Sequence, residues 1–153
     1  MKTLVAGIGN IFNCDDGFGS EVAQILARRP GRPDVHVEDY GIRGVHLAYE
    51  LLEGYDLVVL VDALSRGEPP GTLFVLEPRV EDDEVPALDS HQMDPRAVIG
   101  MVTGMGGAIG RLLLVGCEPA ELGEGIGLSP CVSAVVGTAV TMVEELITEE
   151  EAT

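Results

Sequence analysis

The stretch Leu57–Val61, LVVLV, followed at once by Asp62, decides the fold. A continuous apolar run of this length is typical of a central strand that is buried on both faces, as in α/β proteins whose sheet is covered by helices on each side. In an open α/β sheet the ligand site lies beyond the carboxyl ends of the strands. Asp62 therefore stands where a functional residue is expected.

Strand and helix patterns alternate on either side of this stretch. Further strands are predicted at 3–6, 35–39, 71–76 and 111–117, and helices near 18–29, 45–52, 95–102 and 130–147. The connection from the third strand to the fourth is too short for a crossover helix, so the fourth strand is predicted to run antiparallel to the third. These patterns predict an α/β fold with a five-stranded mixed sheet between helical layers.

The charge balance restricts the possible partners. The 153 residues include 26 acidic and 9 basic side chains, a net charge of −17. The scarcity of basic side chains argues against nucleic-acid binding, and an anionic membrane surface would repel so many carboxylates. Uninterrupted apolar runs fall short of the ~18 residues of a membrane helix, and 46% hydrophobic residues are too many for a disordered acidic chain. A soluble protein that binds neither nucleic acid nor membrane is predicted.

Cysteine usage indicates the cellular compartment. Cys14, Cys117 and Cys131 are an odd number at wide spacing, without a Cys-x-x-Cys pair. Free thiols in a reducing cytoplasm fit this pattern better than a disulfide framework or a structural zinc site. The apolar stretch near the N-terminus breaks at Gly7 and Gly9, so a first strand is expected there rather than a signal peptide.

Carboxylates follow two of the predicted strands. Asp15 and Asp16 come after the first strand and Asp62 after the third, while His91 lies in a loop before a helix. Each has a structural alternative: Asp15 or Asp16 could cap the next helix, Asp62 could pair with Arg66, and His91 could be a solvent-exposed loop residue. Residue types alone leave these alternatives open.

Other candidate features give weaker evidence of a functional site. Gly7-x-Gly9 resembles the start of a dinucleotide fingerprint, but Phe12 occupies the position of its third glycine, so no NAD or other cofactor-binding site is predicted. His36 alternates with apolar residues on a strand and is expected to be structural. His46 lies in the first turn of a short helix and carries little information.

The convergence of Asp16, Asp62 and His91 would create a cation site. Two carboxylates ~4 Å apart repel each other by about 4 kcal/mol at an effective dielectric constant of 20. Such a pair either shares a proton or binds a cation. Two oxygens and one imidazole suit a borderline divalent metal such as nickel, zinc or iron, whereas calcium needs more oxygens.

Six short blocks, in order over nearly the whole chain, resemble the hydrogenase maturation endopeptidases. They are GIGN at 7–10, DDGFG at 15–19, VDA at 61–63, GT at 71–72, SHQ at 90–92 and GLSP at 127–130. The resemblance implies a three-layer α/β/α sandwich with one antiparallel strand. It also implies an endopeptidase that removes a short C-terminal peptide from a nickel-iron hydrogenase large subunit after nickel insertion.

The resemblance extends to individual residues. It implies that Asp16, Asp62 and His91 contact the metal, Asp16 standing where some members have Glu, and that Asp16 and Asp62 are catalytic in an aspartic-type or metal-dependent peptidase. Nickel is expected to come with the precursor rather than to be bound permanently. A single peptidase domain over 1–147, an acidic C-terminal tail at 148–153, a monomer and a cytoplasmic location complete the prediction.

Two other functions remain open. The same three ligands would serve a non-catalytic nickel-binding chaperone, which would leave the precursor intact. A peptidyl-tRNA hydrolase-like enzyme shares the Gly-x-Gly-Asn opening and an α/β fold, but the strongly negative charge argues against tRNA binding.

Overall fold

Five strands and five helices lie within residues 1–78 and 95–152, the part of the chain that this computed structural model describes. The strands are β1 (Thr3–Ile8), β2 (Val35–Gly41), β3 (Leu57–Ala63), β4 (Leu73–Leu76) and β5 (Arg111–Cys117). The helices are α1 (Phe18–Arg28), α2 (Gly44–Leu51), α3 (Pro95–Gly104), α4 (Pro130–Ser133) and α5 (Val136–Glu151). A single 3-10 turn, Cys14–Gly17, precedes α1. The predicted last helix is thus divided in two.

The strands form one mixed sheet in the order β2-β1-β3-β5-β4. All neighbouring pairs are parallel except β4 and β5, which confirms the predicted fold class. β4 does run opposite to β3, as predicted, but its neighbour is β5. The reason is length: β5 pairs with all of β3, from Leu57 opposite Arg111 to Ala63 opposite Cys117, whereas β4 offers only four residues and lies at the edge.

Helices cover both faces of the sheet. Alternate residues of β3 enter two separate cores because successive side chains of a strand point to opposite faces. Val58 and Leu60 pack in the core beneath α2 and α3, and Val59 and Val61 in the core beneath α1 and α5. Every residue of β3 is buried. The architecture is therefore the expected three-layer α/β/α sandwich.

The C-terminal helix extends into the expected acidic tail. α5 continues to Glu151, so residues 148–151 are helical rather than a separate tail. Acidic side chains of this helix also contact arginines of two other segments, the connection from α1 to β2 and the start of β5: Glu144 with Arg29, Glu151 with Arg32 and Glu150 with Arg111. The two pairs of Arg29 and Arg32 are largely exposed and each add little to stability. The pair with Arg111 joins the end of the helix to β5.

One segment has a membrane-like composition. By length and composition alone, Pro130–Glu151 could cross a membrane. Val140, Val143 and Ile147 of this segment are buried in the core under the sheet, as in a core helix of a soluble protein. The segment is therefore weak evidence for a membrane span.

Candidate active site

Two buried aspartates lie at the carboxyl ends of β1 and β3. Asp16 is 2% exposed and Asp62 is fully buried. The backbone N–H of Asn10 donates to Asp16 Oδ2 at 2.8 Å, and that of Ala63 donates to Asp62 Oδ1 at 2.8 Å. No side-chain hydrogen bond caps either the 3-10 turn or α1. Asp16 therefore faces back toward the end of β1, and the helix-cap alternative is wrong.

Both aspartates approach the backbone at Gly9. Its φ of 127° lies in a region that favours glycine. A Cβ at this position would lie 2.0 Å from the main-chain oxygen of Asp16 and 2.8 Å from Asp62 Oδ1. Both residues therefore lie against Gly9, and a side chain at position 9 would have no space. The backbone of Asp16 and the carboxylate of Asp62 thus both lie against Gly9, and the convergence of the two carboxylates on one cation stays a prediction.

Substitution of Gly9 by Ala should destabilise the fold, because backbone strain and the steric overlap of the added Cβ act together. We expect the free energy of unfolding to fall by about 3 kcal/mol, from left-handed strain of ~1 kcal/mol and overpacking of ~2 kcal/mol. The matched control is Gly106→Ala, since Gly106 also has a positive φ, 83°, but nothing lies within 4 Å of its added Cβ. Urea unfolding midpoints measure both losses. Equal losses would show that Gly9 is not crowded.

Asp15 has a structural role that the sequence did not predict. Its fully buried carboxylate accepts hydrogen bonds from the N–H groups of Ala120 at 2.8 Å, Glu121 at 2.9 Å and Ser129 at 2.7 Å, and from the Ser129 hydroxyl at 2.8 Å. Burial raises the pKa of Asp15, but the hydrogen bonds lower it more, so the net pKa lies below its usual value. Asp15 thus ties the loop at 118–129 to the segment that carries Asp16.

A second buried carboxylate supports the loop after Asp62. Glu118 follows β5, is nearly buried, and accepts hydrogen bonds from the backbone N–H groups of Arg66 at 2.7 Å and Glu68 at 3.0 Å. The guanidinium of Arg66, the alternative partner of Asp62, lies 5.5 Å from the centroid of the Phe74 ring. A carboxylate directly after an apolar strand was the sequence signal for Asp62, and the same signal marks Glu118.

An open groove of about 260 Å³ borders the Asp16 loop. Asn10, whose N–H holds the Asp16 carboxylate, lines the groove together with the exposed apolar side chains of Ile11, Phe12 and Ile42. Phe12 is 60% exposed. Exposed apolar side chains beside buried carboxylates can contact a peptide.

The three histidines are in different situations. His91 lies outside the described residues, so its place in the metal-contacting set stays a prediction. His46 is exposed on α2. His36 is also exposed, and its Nε2 lies 3.2 Å from Glu38 Oε1 on the edge strand.

The similarity of the chain to known proteins agrees with this site. A family model described as HycI, hydrogenase maturation protease, matches residues 20–146. The chain belongs to the hydrogenase maturation protease family. The hydrogenase 2 maturation protease of Escherichia coli K12 is 32% identical over 149 residues, which cover 94% of this chain and 88% of that protein.

Other members of the hydrogenase maturation protease family are similar along the whole chain. The hydrogenase expression/formation protein HupD of Thiocapsa roseopersicina is 33% identical over 156 residues, or 97% of this chain and 68% of that protein. The solved structure of the hydrogenase maturating endopeptidase HybD of Escherichia coli superposes with a TM-score of 0.82 and 30% identity, covering 98% of this chain and 94% of that one. The predicted family, fold and peptidase function are confirmed, and they favour a protease over the chaperone and tRNA hydrolase alternatives.

Proposed function

We propose that this hydrogenase maturation protease cleaves the C-terminal extension from the nickel-loaded precursor of a nickel-iron hydrogenase large subunit, with Asp16 and Asp62 as the catalytic carboxylates. The observation that carries the proposal is that these two buried residues both lie against Gly9, at the carboxyl ends of β1 and β3. Membership of the family supports the substrate, because family members mature hydrogenases.

Nickel is proposed to be part of the substrate. Carboxylate oxygens from Asp16 and Asp62, with the imidazole of His91 that the resemblance implies, form a donor set that suits nickel and leaves positions open for the precursor's own ligands. Buried carboxylates are costly to ionise side by side, so a cation between them offsets their repulsion. A nickel-loaded precursor would thus be recognised by the same side chains that cut it.

The cleavage step requires a base. One carboxylate takes a proton from a water molecule while the water oxygen bonds to the scissile carbonyl carbon; the C–N bond then breaks and the proton passes to the leaving amine. Polarisation of the carbonyl by the nickel is the second route to the same products. The groove beside Asn10, with Phe12 and Ile42 exposed along it, offers a surface for the peptide.

The remaining parts of the proposal concern location and assembly. Cys14, Cys117 and Cys131 are all free thiols, which supports a reducing compartment such as the cytoplasm. We propose that the protein works there as a monomer, without a nucleic-acid or membrane partner. The charge of −17 supports the lack of a nucleic-acid partner.

The mass of the large subunit tests this function. The purified protein is incubated with a nickel-loaded precursor and, in parallel, with the same precursor without nickel. We expect mass spectrometry to show loss of a C-terminal peptide from the nickel-loaded form alone. A nickel-loaded precursor of unchanged mass would contradict proteolysis and favour the chaperone, and equal cutting of both forms would contradict nickel recognition.

A further inference from the structure

A histidine and two glutamates meet on the edge of the sheet, away from Asp16 and Asp62. His36 and Glu38 share one face of β2, because alternate residues of a strand point the same way, and Glu50 reaches them from α2. His36 pairs with Leu4, near the amino end of β1. His36 therefore lies nearer the amino ends of the strands than Asp16 and Asp62 do.

The distances fit a metal site. His36 Nε2 lies 3.2 Å from Glu38 Oε1 and 3.8 Å from Glu50 Oε1, and the three potential ligand atoms all lie within 4.8 Å of one another. Zinc bonds of 2.0–2.2 Å in tetrahedral geometry place ligand atoms ~3.4 Å apart. We infer that His36, Glu38 and Glu50 form a second divalent-metal site, suited to zinc or a similar borderline cation, outside the peptidase centre.

The other oxygen of each glutamate is already engaged. The Tyr55 hydroxyl donates to Glu50 Oε2 at 2.7 Å, and Arg43 Nη2 lies 3.8 Å from Glu38 Oε2. These contacts leave the two Oε1 atoms turned toward His36. Groups that orient metal ligands in this way are a regular part of metal sites, because they fix each carboxylate and keep its geometry.

A buried hydroxyl on the same face of β2 as His36 and Glu38 is a second observation that favours a bound ligand. Tyr40 is the next residue on the same face of β2 after His36 and Glu38, and it is only 1% exposed. Within the described part of the chain, its hydroxyl has no hydrogen-bond partner. A water bound to the metal would supply its partner.

The competing explanation is an ion pair without metal. A protonated His36 between Glu38 and Glu50 would hold the same three side chains together. The two explanations differ in their response to zinc. Zinc needs the imidazole nitrogen unprotonated, and removal of either carboxylate weakens zinc binding, whereas the ion pair responds to pH alone.

Nuclear magnetic resonance of the three imidazoles tests this site separately from the peptidase centre, because His36, His46 and His91 give separate signals. We expect zinc to shift the His36 signal, and Glu38→Gln or Glu50→Gln to weaken this response at least tenfold. The matched control is His46→Asn, since His46 is exposed on α2 and should not change the His36 response. His36→Asn assigns the signal, and urea unfolding shows that each variant is folded.

Two results would overturn the inference. The first is a His36 signal that does not respond to zinc, which would leave the ion pair as the explanation of the cluster. The second is a zinc response that is the same in Glu38→Gln, Glu50→Gln and the wild-type protein. Neither result depends on cleavage of a precursor, so failure here is distinguishable from failure of the proposed peptidase.

Discussion

Asp62→Asn and Asp16→Asn are each expected to lower the rate of precursor cleavage by about 10³-fold, with little change in fold. Asparagine has nearly the shape of aspartate, but its amide can neither take a proton from water nor offer a negative charge to a cation. General-base catalysis by a positioned side chain contributes typically 10²–10⁴-fold, so loss of either role has an effect of this size. Single-turnover assays that follow the shortened subunit by mass spectrometry measure the change.

Asp34→Asn is the matched control for this prediction. It makes the same chemical change at an exposed carboxylate before β2, and we expect wild-type cleavage. Asp16→Glu restores a carboxylate at a position where the resemblance implies that some members have Glu, so it should recover part of the activity that Asp16→Asn loses. Normal trimming of a nickel-loaded precursor by both asparagine variants would contradict the proposed mechanism.

Asp15→Asn is expected to lower the free energy of unfolding by about 3 kcal/mol. Its carboxylate accepts three backbone N–H groups and one hydroxyl from the loop at 118–129. An amide at this position loses the charge and turns an NH₂ group toward donors, which leaves buried N–H groups without acceptors, at ~1–3 kcal/mol each. Chemical denaturation measures the loss, with Asp34→Asn as the exposed control.

The destabilisation by Asp15→Asn should depend on pH in a defined direction. The folded pKa of Asp15 lies below the ordinary value of 3.8. The stabilisation is therefore fully present above the unfolded pKa and is lost as the pH falls through the folded pKa. The gap between wild type and variant should be constant near neutral pH and should narrow in strongly acidic solution. A gap of the same size under both conditions would show that the Asp15 charge does not stabilise the fold.

The sequence predicts the elements well because their apolar spacing is local information. The run at Leu57–Val61 predicts the central strand, and the observed β5, Arg111–Cys117, has the predicted limits. The edge position of β4 was not predictable in this way, since the choice of neighbour depends on which strand pairs along the full length of β3. β5 offers seven residues for that pairing and β4 only four.

The candidate site residues also differ in whether local sequence or distant contacts set their role. Asp16 and Asp62 are recognisable because each follows a strand of an α/β sheet, where ligands bind. Asp15, directly beside Asp16, has the same sequence signal but a structural role, because its hydrogen-bond donors are more than a hundred positions away, at Ala120, Glu121 and Ser129.

The sequence by itself determined the α/β class, the central strand and the placement of two aspartates at the carboxyl ends of strands, because burial periodicity and strand ends are properties of neighbouring residues. Only the tertiary structure decided what each carboxylate contacts. The Asp62 carboxylate lies against Gly9 and the Asp16 backbone, the loop at 118–129 binds Asp15, and α2 places Glu50 beside His36. The physical reason is that a charged side chain acts through atoms within a few ångströms of it, and chain folding alone sets those distances.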